Sequence, residues 1–319
     1  MSKIRPKVSL GADPEFFMKS KSTGRLISAI PYIKGGKHDP IRLKNGGGLQ
    51  SDNVALEFAI PPSMGRDRFV ESMKATLAEM FQHLKEDHDL EVLPSAVFDD
   101  AELRDPKARE FGCSPDYCAW KVAINESPSH PDHRFRSCGG HIHVGCLDEN
   151  GDIIDEQAIF LLDDIGKINT VRGMDLFLGV ISTILDNSKE AVDRRGLYGK
   201  AGCHRPTQYG VEYRTLSNWW TKSPHSSMLV ASLTEDVISV VASGTLNELT
   251  ELFPEPNSSH IISGAEICRI INTGDAASAR KVLDEILVHH MSEDSKHFLE
   301  VCLQKLPKTN TLTAEWGLK

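Results

Sequence analysis

The sequence has neither an excess of positive charge nor a long uninterrupted hydrophobic run, and each absence excludes a class of protein. Its 319 residues include 36 Lys and Arg against 45 Asp and Glu, which gives a net charge of −9. Proteins that bind nucleic acid or anionic membranes directly usually present a basic excess. The longest apolar stretch, from Met174 to Leu185, is interrupted by polar residues and is too short to span a bilayer. We therefore expect no direct nucleic acid or membrane partner, and we predict a buried helix at residues 174–185.

Signal-peptide, disulfide and phosphate-loop patterns are missing as well. The basic stretch Met1–Lys7 is followed by Val8-Ser9-Leu10-Gly11 and not by an apolar run of signal-peptide length. Seven cysteines are an odd number, scattered along the chain, which is typical of reduced thiols. Both observations favour a cytoplasmic protein. The chain also has no Walker Gly-Lys-Ser/Thr loop and no strand-linked Gly-x-Gly-x-x-Gly motif.

What the sequence does contain is an ordinary globular composition, with 40% hydrophobic and 25% charged residues. Alternation and turn residues predict strands, and spacings of three and four predict helices. We predict one catalytic domain over residues 1–319, with the sheet and motifs in 1–225 and a helical part in 226–319. The predicted strands are 7–18, 24–34, 52–60, 119–124, 139–146 and 209–217. The predicted helical regions are 66–89, 156–189, 263–272, 276–289 and 292–306, with a break at 253–257 and an Arg- and Gly-rich loop at 193–206.

Residues two apart in a strand share one face, and this rule divides four of the predicted strands into an apolar and a polar side. Glu57, for example, lies opposite Leu56 and Phe58. Pro14, in the first strand, indicates an edge or bulged strand because proline cannot donate to the ladder. We predict an α+β fold, with a curved antiparallel sheet, helices on its apolar face and a polar concave face. The polar side carries Asp13, Glu15, Glu57, His141, His143, Glu212 and Arg214.

Four carboxylates on one surface repel one another, and a hard divalent cation such as magnesium relieves that repulsion. Magnesium commonly brings phosphates with it, and arginine binds phosphate or carboxylate in a fork geometry. Arg195, Arg205 and Arg214 are the arginines that suit this role. The set indicates metal-assisted phosphoryl transfer.

Simpler interpretations exist for each part of this set. A single strand carboxylate is most often solvated, a His-x-His pair is often structural, and residues 194–205 could be a solvated basic loop. The Gly46-Gly47-Gly48 run is more typical of a hairpin loop than of a phosphate cradle. A zinc site built from Cys138, His141, His143 and Cys146 has suitable ligands, but strand parity places its cysteines on the face opposite its histidines. We interpret Cys113 and Cys118 as free thiols.

The motifs also resemble a known family when they are taken in order. They are Gly11-Ala-Asp13-Pro-Glu15-Phe16, Asp52-Asn53-Val-Ala-Leu56-Glu57-Phe58, Gly139-Gly-His141-Ile-His143-Val-Gly145, and the run from Arg195 through Gly199, Lys200, Arg205 and Tyr209 to Glu212-Tyr-Arg214. Together they resemble the carboxylate-amine ligases of the glutamine synthetase and glutamate-cysteine ligase superfamily, and most of all the phage-type amidoligases.

The resemblance implies a glutamine synthetase-like sheet with an active-site funnel, and ATP and Mg²⁺ as cofactors. It implies Asp13, Glu15, Glu57 and Glu212 as metal ligands, with His141 or His143 as a further metal or nucleotide contact. It also implies that Arg214 contacts the γ-phosphate, and that Arg195, Lys200 and Arg205 bind phosphates or the substrate carboxylate. The family often has Glu-x-Glu on its first strand, whereas this chain has Asp13-Pro14-Glu15, one methylene shorter.

The leading functional hypothesis is therefore an ATP- and magnesium-dependent ligase that forms an amide or isopeptide bond through an acyl phosphate. Arg214, Glu57 and Glu212 are its predicted catalytic residues. Its partners would be a small-molecule or peptide carboxylate and an amine acceptor. One alternative is a metal-dependent hydrolase that uses His141 and His143 to activate water. Another is a catalytically inactive, ligand-binding member of the ligase fold. The sequence leaves the oligomeric state open, and a homo-oligomer is among the options.

Overall fold

The computed structural model describes residues 5–109, 116–250, 261–305 and 311–318, and it combines an open antiparallel sheet with helices. The strands are β1 (Ser9–Ser20), β2 (Leu26–Ile27), β3 (Ile41–Arg42), β4 (Gly48–Asp52), β5 (Ala55–Ala59), β6 (Ser63–Met64), β7 (His88–Glu91), β8 (Ser95–Val97), β9 (Tyr117–Cys118), β10 (Ala123–Ile124), β11 (Phe135–Ser137), β12 (Gly140–Gly145), β13 (Cys203–Pro206) and β14 (Gly210–Tyr213).

The helices lie between and after these strands, and most of those in the last third follow one another directly. They are α1 (Arg66–Gln82), α2 (Asp164–Met174), α3 (Val180–Leu185), α4 (Lys189–Leu197), α5 (Pro224–Ala242), α6 (Leu246–Leu249), α7 (Gly264–Thr273), α8 (Ala276–Glu285), α9 (Glu293–Lys305) and α10 (Leu312–Trp316). A π-helical segment, Asp175–Gly179, joins α2 to α3. Short 3₁₀ helices occupy Asp100–Leu103, Pro106–Arg109, Glu156–Leu162, Asn218–Lys222 and Leu287–His289.

The main sheet has the strand order β10-β9-β13-β14-β12-β1-β5-β4-β3, with β2, β6 and β7 also paired to β1. Strand β1 is therefore an interior strand, so of the two predicted options, an edge or a bulged strand, the edge position is wrong. Pro14 is accommodated because the pairing of β1 with β12 ends at this residue, and the pairing with β5 begins at Glu15. A proline at such a change of partner interrupts little of the hydrogen-bond ladder.

Helices cover the apolar face of the sheet, as the strand parity predicts. Leu10, Ile142 and Val211 of the sheet belong to one buried core with Val237 and Ile271 of α5 and α7. On α1 the residues at spacings of three and four, Phe69, Met73, Leu77 and Met80, are all buried. The predicted α+β fold class, with additional C-terminal helices, is confirmed.

The apolar stretch at residues 174–185 is the second half of a continuous helix, Asp164–Leu185. Among the described residues this is the one helix long and apolar enough to cross a membrane by length and composition, but 78% of its apolar window is buried inside the fold. Burial of this extent is the signature of a core helix, and the prediction of a buried helix is confirmed.

Several predicted boundaries are wrong, and in most cases a turn divides the predicted element. The strand predicted at 24–34 is reduced to β2. The strand predicted at 52–60 is present as β5 but begins only at Ala55, because the chain turns at Asn53, where φ is 54°, between β4 and β5. The Gly46 region is a hairpin loop, as predicted, with φ of 89° at Gly46. Helix α1 ends at Gln82 rather than Asp89, because residues 88–91 pair with β1 as β7.

The segments around residues 119–124 and 193–206 also differ from the prediction. Only Ala123–Ile124 of the first is a strand, because residues 119–122 turn and Val122 adopts φ of 50°. The predicted Arg- and Gly-rich loop contains the second half of helix α4, for which Ser188 is the N-cap, and strand β13. The predicted break at 253–257 lies outside the described residues.

Candidate active site

The register of the central strands brings the predicted polar residues side by side. Asp13 of β1 pairs with His141 of β12, and Glu15 of the same strand pairs with Glu57 of β5. On the other side of β12, His143 pairs with Glu212 of β14. Because facing residues in an antiparallel pair lie about 5 Å apart, three strand pairings gather the polar residues of the predicted concave face into one site.

The first group of potential metal ligands is formed by Asp13, His143 and Glu212, and we call it the Asp13 cluster. Its ligand atoms all lie within 4.8 Å of one another. His143 Nε2 lies 3.2 Å from Asp13 Oδ1, and Nδ1 of His141 lies 3.3 Å from the same oxygen. The Tyr209 hydroxyl forms a hydrogen bond of 2.6 Å with His143 Nδ1 and so orients this imidazole within the cluster.

The charges of the Asp13 cluster compensate one another. Burial alone raises the pKa of Asp13, but His143 and His141 lower it to well below its ordinary value. Burial likewise raises the pKa of Glu212, and Arg214 and His141 lower it below the ordinary value. Burial lowers the pKa of His143, but Asp13 and Glu212 raise it above the ordinary value. Both carboxylates are therefore held in the ionised form that a metal ligand needs.

The second group, Glu15, Asp52 and Glu57, consists of carboxylates alone, and we call it the Glu15 cluster. Its oxygens also lie within 4.8 Å of one another. Burial and the charge of Asp52 raise the pKa of Glu15 to about 7. Burial and three neighbouring carboxylates raise the pKa of Glu57 well above its ordinary value. This repulsion is the pattern expected where a divalent cation supplies the missing positive charge.

Hydrogen bonds orient the Glu15 cluster. The backbone N–H of Gly139 donates to Glu15 Oε2 at 2.6 Å, and Gln50 Nε2 donates to Glu57 Oε2 at 2.8 Å. Asp52 is a member that the sequence reasoning did not assign. The β4–β5 hairpin would have identified it, because Gln50 lies opposite Glu57, and Asp52, two residues further, shares the face of Gln50.

Two of the predicted arginines lie beside the Asp13 cluster. Arg214 Nη1 donates to Glu212 Oε1, and Arg205 Nη1 donates to Glu212 Oε2 at 2.8 Å. Arg205 and Glu212 are also direct partners in the register of β13 and β14. The guanidinium groups therefore flank the carboxylate that the sequence predicted as a metal ligand.

The structure does not bring Arg195 and Lys200 to the site. Arg195 is a buried residue of α4, and its Nη2 donates to the carbonyl of Asp186 at 3.0 Å. The Lys200 side chain is exposed to solvent. The neighbouring residue Arg194 faces the site instead, and sequence reasoning missed it. The helical twist of α4, which was predicted as a loop, separates the directions of Arg194 and Arg195 by about 100°.

Two pockets open beside the clusters. One, which we call the polar pocket, contains Glu15 together with three arginines, and its lining residues are Glu15, Asp52, Asn53, Asp116, Arg136, Ser137, Gly139, His141, Arg194, Leu197, Tyr198, Gly199 and Arg214. The other, which we call the apolar pocket, lies next to Asp13 and His143, and its lining residues are Ser9, Gly11, Ala12, Asp13, Ala59, Ile60, Pro61, Pro62, Met64, His143, Gly145, Leu147, Asp148, Glu149, Ile154 and Tyr209.

The donor set fits magnesium better than zinc. Both clusters are dominated by carboxylate oxygen, the ligand atom that magnesium prefers. Cys146 lies in the main hydrophobic core with Ile142 and Val144, opposite the histidines, as strand parity predicts. Cys138 precedes β12 and lies instead in a separate buried cluster with Phe17 and Ala55, on the face of Glu15 and Glu57, so the parity prediction is wrong for this cysteine. Cys118 is a free thiol, whereas Cys113 lies outside the described residues.

Comparisons with known proteins address the family and the fold. The model of the phage phiEco32-like COOH.NH2 ligase-type 2 family matches residues 126–260. No curated protein sequence matches the chain. A bifunctional glutathione synthetase from Pasteurella multocida superimposes with a TM-score of 0.50 and 10% identity, over 97% of this chain and 48% of that one. Apo GmaS without ligand gives a TM-score of 0.44 and 10% identity, over 94% of this chain and 69% of that one.

The present chain spans about half the length of the glutathione synthetase, whose likeness shows a shared fold. The family match covers the histidine strand β12, the arginines of α4 and β13, and the Glu212–Arg214 motif. These are two of the four motifs through which the sequence resembles the family, whereas the motifs at 11–16 and 52–58 lie outside the matched residues. The resemblance of this chain to the phage-type carboxylate-amine ligases is thereby confirmed.

Proposed function

We propose that the protein is an ATP- and magnesium-dependent carboxylate-amine ligase that forms an amide or isopeptide bond and releases ADP. The observation that carries the proposal is the pair of adjacent ligand clusters on β1, the Asp13 cluster and the Glu15 cluster, with Arg214 and Arg205 beside them. A hydrolase that activates water on one metal needs neither the second carboxylate cluster nor the arginines, so the arrangement favours a ligase.

Each cluster would hold one magnesium ion. Magnesium supplies charge that neutralises the phosphates and polarises the oxygens of the group being transferred. The three carboxylates of the Glu15 cluster repel one another in its absence, and the Asp13 cluster places its ligand atoms within 4.8 Å of one another. The chain therefore presents charge and ligand atoms that suit two cations.

The two pockets suggest where the substrates bind. A nucleotide base needs apolar surface, and the apolar pocket offers Ile60, Pro61, Leu147 and Tyr209 next to the Asp13 cluster. A substrate acid and an amine need polar partners, and the polar pocket offers carboxylates and guanidinium groups next to the Glu15 cluster. Arg214 lines the polar pocket and also donates to Glu212 of the Asp13 cluster.

This position of Arg214 suits transfer of the γ-phosphoryl group between the two pockets. A carboxylate oxygen of the acid attacks the γ-phosphorus, the bond to the bridging oxygen breaks, and ADP leaves with that electron pair. The amine then attacks the carbonyl carbon of the acyl phosphate, loses a proton and expels inorganic phosphate. In both steps the fork of Arg214 would stabilise negative charge on the phosphoryl oxygens.

Release of inorganic phosphate from ATP tests the proposal. We would incubate the full chain with Mg²⁺ and ATP, screen pools of carboxylic acids and amines, and identify the amide product by mass spectrometry. Glu57→Gln is the control variant, because Glu57 is a ligand in the Glu15 cluster and forms no ion pair within the described residues.

Phosphate release that requires both an acid and Glu57, with one amide formed for each ADP, supports the ligase. Phosphate release that continues in Glu57→Gln contradicts the role of the second cluster. Metal-dependent hydrolysis of ester or amide substrates without ATP, abolished by His143→Gln, would favour the hydrolase instead.

A further inference from the structure

A buried carboxylate that the proposed reaction does not use lies directly behind the site, on the apolar face of the sheet. Asp175 begins the π-helical segment between α2 and α3, and it is 0% exposed. Among the described residues it forms no ion pair with Lys or Arg. A buried carboxylate is costly unless hydrogen bonds satisfy it. Asp175 accordingly accepts three, from Trp120 Nε1 at 2.6 Å, Tyr213 Oη at 2.7 Å and Thr215 Oγ1 at 3.2 Å. The Thr215 hydroxyl shares its proton with the Lys200 carbonyl at 3.1 Å.

Two of these donors, Tyr213 and Thr215, are the residues directly before and after Arg214 in the sequence. Because neighbouring residues of an extended chain point to opposite faces, Tyr213 and Thr215 reach back to Asp175 while Arg214 faces the site. The register of β14 ends at Tyr213, and main-chain pairing of this segment with the residues before β12 resumes at Leu216 and Ser217. Asp175 holds the side chains of Tyr213 and Thr215 in the interval between these two pairings.

The same backbone is held from the front by Arg194. Its Nη1 donates to the carbonyl of Thr215 at 2.9 Å, and its Nη2 donates to the carbonyl of Arg214 at 3.4 Å. The N–H of Arg214 in turn donates to the carbonyl of Cys203 at 2.9 Å. The main chain at Arg214 is thus fixed on both faces, by Asp175 behind it and by Arg194 in front.

A glycine in the π-helical segment makes room for the contact from behind. Such segments are rare and are frequent at functional sites. Gly179 ends the segment, and a Cβ at this position would lie 3.0 Å from the Tyr213 hydroxyl and 2.6 Å from Ile271 Cδ1. The absence of a side chain at Gly179 lets the Tyr213 hydroxyl come close to the helix and reach Asp175.

We propose that Asp175 is a positioning residue, which fixes the direction of the Arg214 guanidinium through Tyr213 and Thr215. This inference rests on the proposed function, in which Arg214 contacts the γ-phosphoryl group. It assigns a role to a side chain on the helical face of the sheet, which touches neither nucleotide nor metal.

The preference for ATP over ADP tests the inference without knowledge of the acid or the amine. Calorimetry would measure the affinity of the full chain for the Mg²⁺ complex of a non-hydrolysable ATP analogue and for Mg²⁺-ADP. We expect the wild type to prefer the analogue. Arg214→Lys should remove most of this preference, and Asp175→Asn should reduce it about 10-fold or more, because small displacements of a charged group are costly in a preorganised site.

Tyr213→Phe and Thr215→Val delete the two hydrogen bonds while Asp175 remains, so they keep the inference testable if Asp175→Asn fails to fold. Asp236→Asn is the matched control. Asp236 is also buried and also accepts three hydrogen bonds, from Ser292 N, Ser292 Oγ and Ser295 Oγ. These donors lie at the start of α9, away from the site. Asp236→Asn should lower the melting temperature and leave the ATP preference unchanged.

A double-mutant cycle completes the test. If Asp175 acts through Arg214, Asp175→Asn or Thr215→Val should add little further loss of preference in the Arg214→Lys background. Full retention of the preference in Asp175→Asn, Tyr213→Phe and Thr215→Val, with loss in Arg214→Lys, overturns the inference and leaves the proposed function intact. A wild-type chain that binds neither nucleotide overturns the proposed function, and the inference with it.

Discussion

At the scale of single residues, two glutamates with the same predicted role have opposite environments. Glu212 is paired with Arg205 and Arg214, which outweigh burial and lower its pKa. Glu57 accepts a hydrogen bond from Gln50, and burial and the neighbouring carboxylates raise its pKa well above the ordinary value. The two residues are therefore expected to respond differently to neutralisation, although sequence alone makes them equivalent.

Glu57→Gln should stabilise the protein when metal is removed. Glu57 and Glu15 have raised pKa values in the folded state, about 7 for Glu15 against an ordinary 4.5. A folded state with raised carboxyl pKa values loses stability as pH rises through the interval between the two values. In EDTA at pH 8 we expect Glu57→Gln to unfold with a free energy about 1–3 kcal/mol higher than wild type. Urea titrations at pH 5 and pH 8 measure this gain, which should shrink at pH 5 and vanish in excess Mg²⁺.

Glu212→Gln should have the reverse effect on stability. The substitution removes a buried negative charge between Arg205 and Arg214, and breaking a buried pair from one side typically costs about 3 kcal/mol. We expect a lower melting temperature with or without Mg²⁺, measured by circular dichroism. An unchanged melt would show that the two guanidinium groups are satisfied without Glu212. This variant is consequently a poor activity control, and Glu57→Gln is the better choice.

At the scale of elements, local alternation predicted which side of each strand is polar, but not how the strands are ordered. Side chains alternate between the two faces of a strand, and this alternation is a local property. The sequence therefore predicts the correct face for Glu57, His141 and Glu212. Strand order depends on long-range pairing, and Pro14 indicates an edge or bulged strand although β1 is central. The Arg- and Gly-rich residues of α4 have no apolar stripe that predicts a helix, so nothing in the sequence shows which of Arg194 and Arg195 faces the site.

The start of β12 shows why two glycines precede the histidines. A Cβ on Gly139 would lie 2.3 Å from His141 Nε2, and a Cβ on Gly140 would lie 2.5 Å from Trp220 Nε1 and from the Ser217 carbonyl. Gly139→Ala should push the imidazole away from Asp13 and weaken Mg²⁺ binding about 10-fold, as loss of a supporting contact does in other metal sites. Titration calorimetry with Mg²⁺ measures this change.

Gly140→Ala provides the comparison for that experiment. Trp220 Nε1 donates to the Gly140 carbonyl at 3.0 Å. The methyl group of an alanine at this position would contact the Trp220 indole and the Ser217 carbonyl, which both belong to buried residues. This variant should lose stability more than metal affinity. Equal Mg²⁺ affinity in Gly139→Ala and wild type would mean that His141 does not support the Asp13 cluster.

At the scale of the whole molecule, the helical part from residue 226 onward shares its core with the sheet. Ile271 of α7 packs against Gly179, and the indole Nε1 of Trp316, on α10, donates to the Thr221 carbonyl at 2.8 Å. Trp220, next to Thr221, stacks near Phe69 of α1 with ring centroids 5.8 Å apart. These contacts join the last helix to the first one across the back of the sheet.

Such a core predicts one cooperative unfolding unit over the whole chain, and Trp316→Ala tests it. Truncation of a buried aromatic residue costs about 3–5 kcal/mol, and Trp316 is 1% exposed. If sheet and C-terminal helices unfold together, the variant should lower a single calorimetric transition without splitting it. Bound Mg²⁺ should raise that same transition, because ligands that bind only the folded state stabilise the whole cooperative unit. Two transitions, of which Mg²⁺ raises only one and Trp316→Ala lowers only the other, would instead divide the chain near residue 225 into separate folding units.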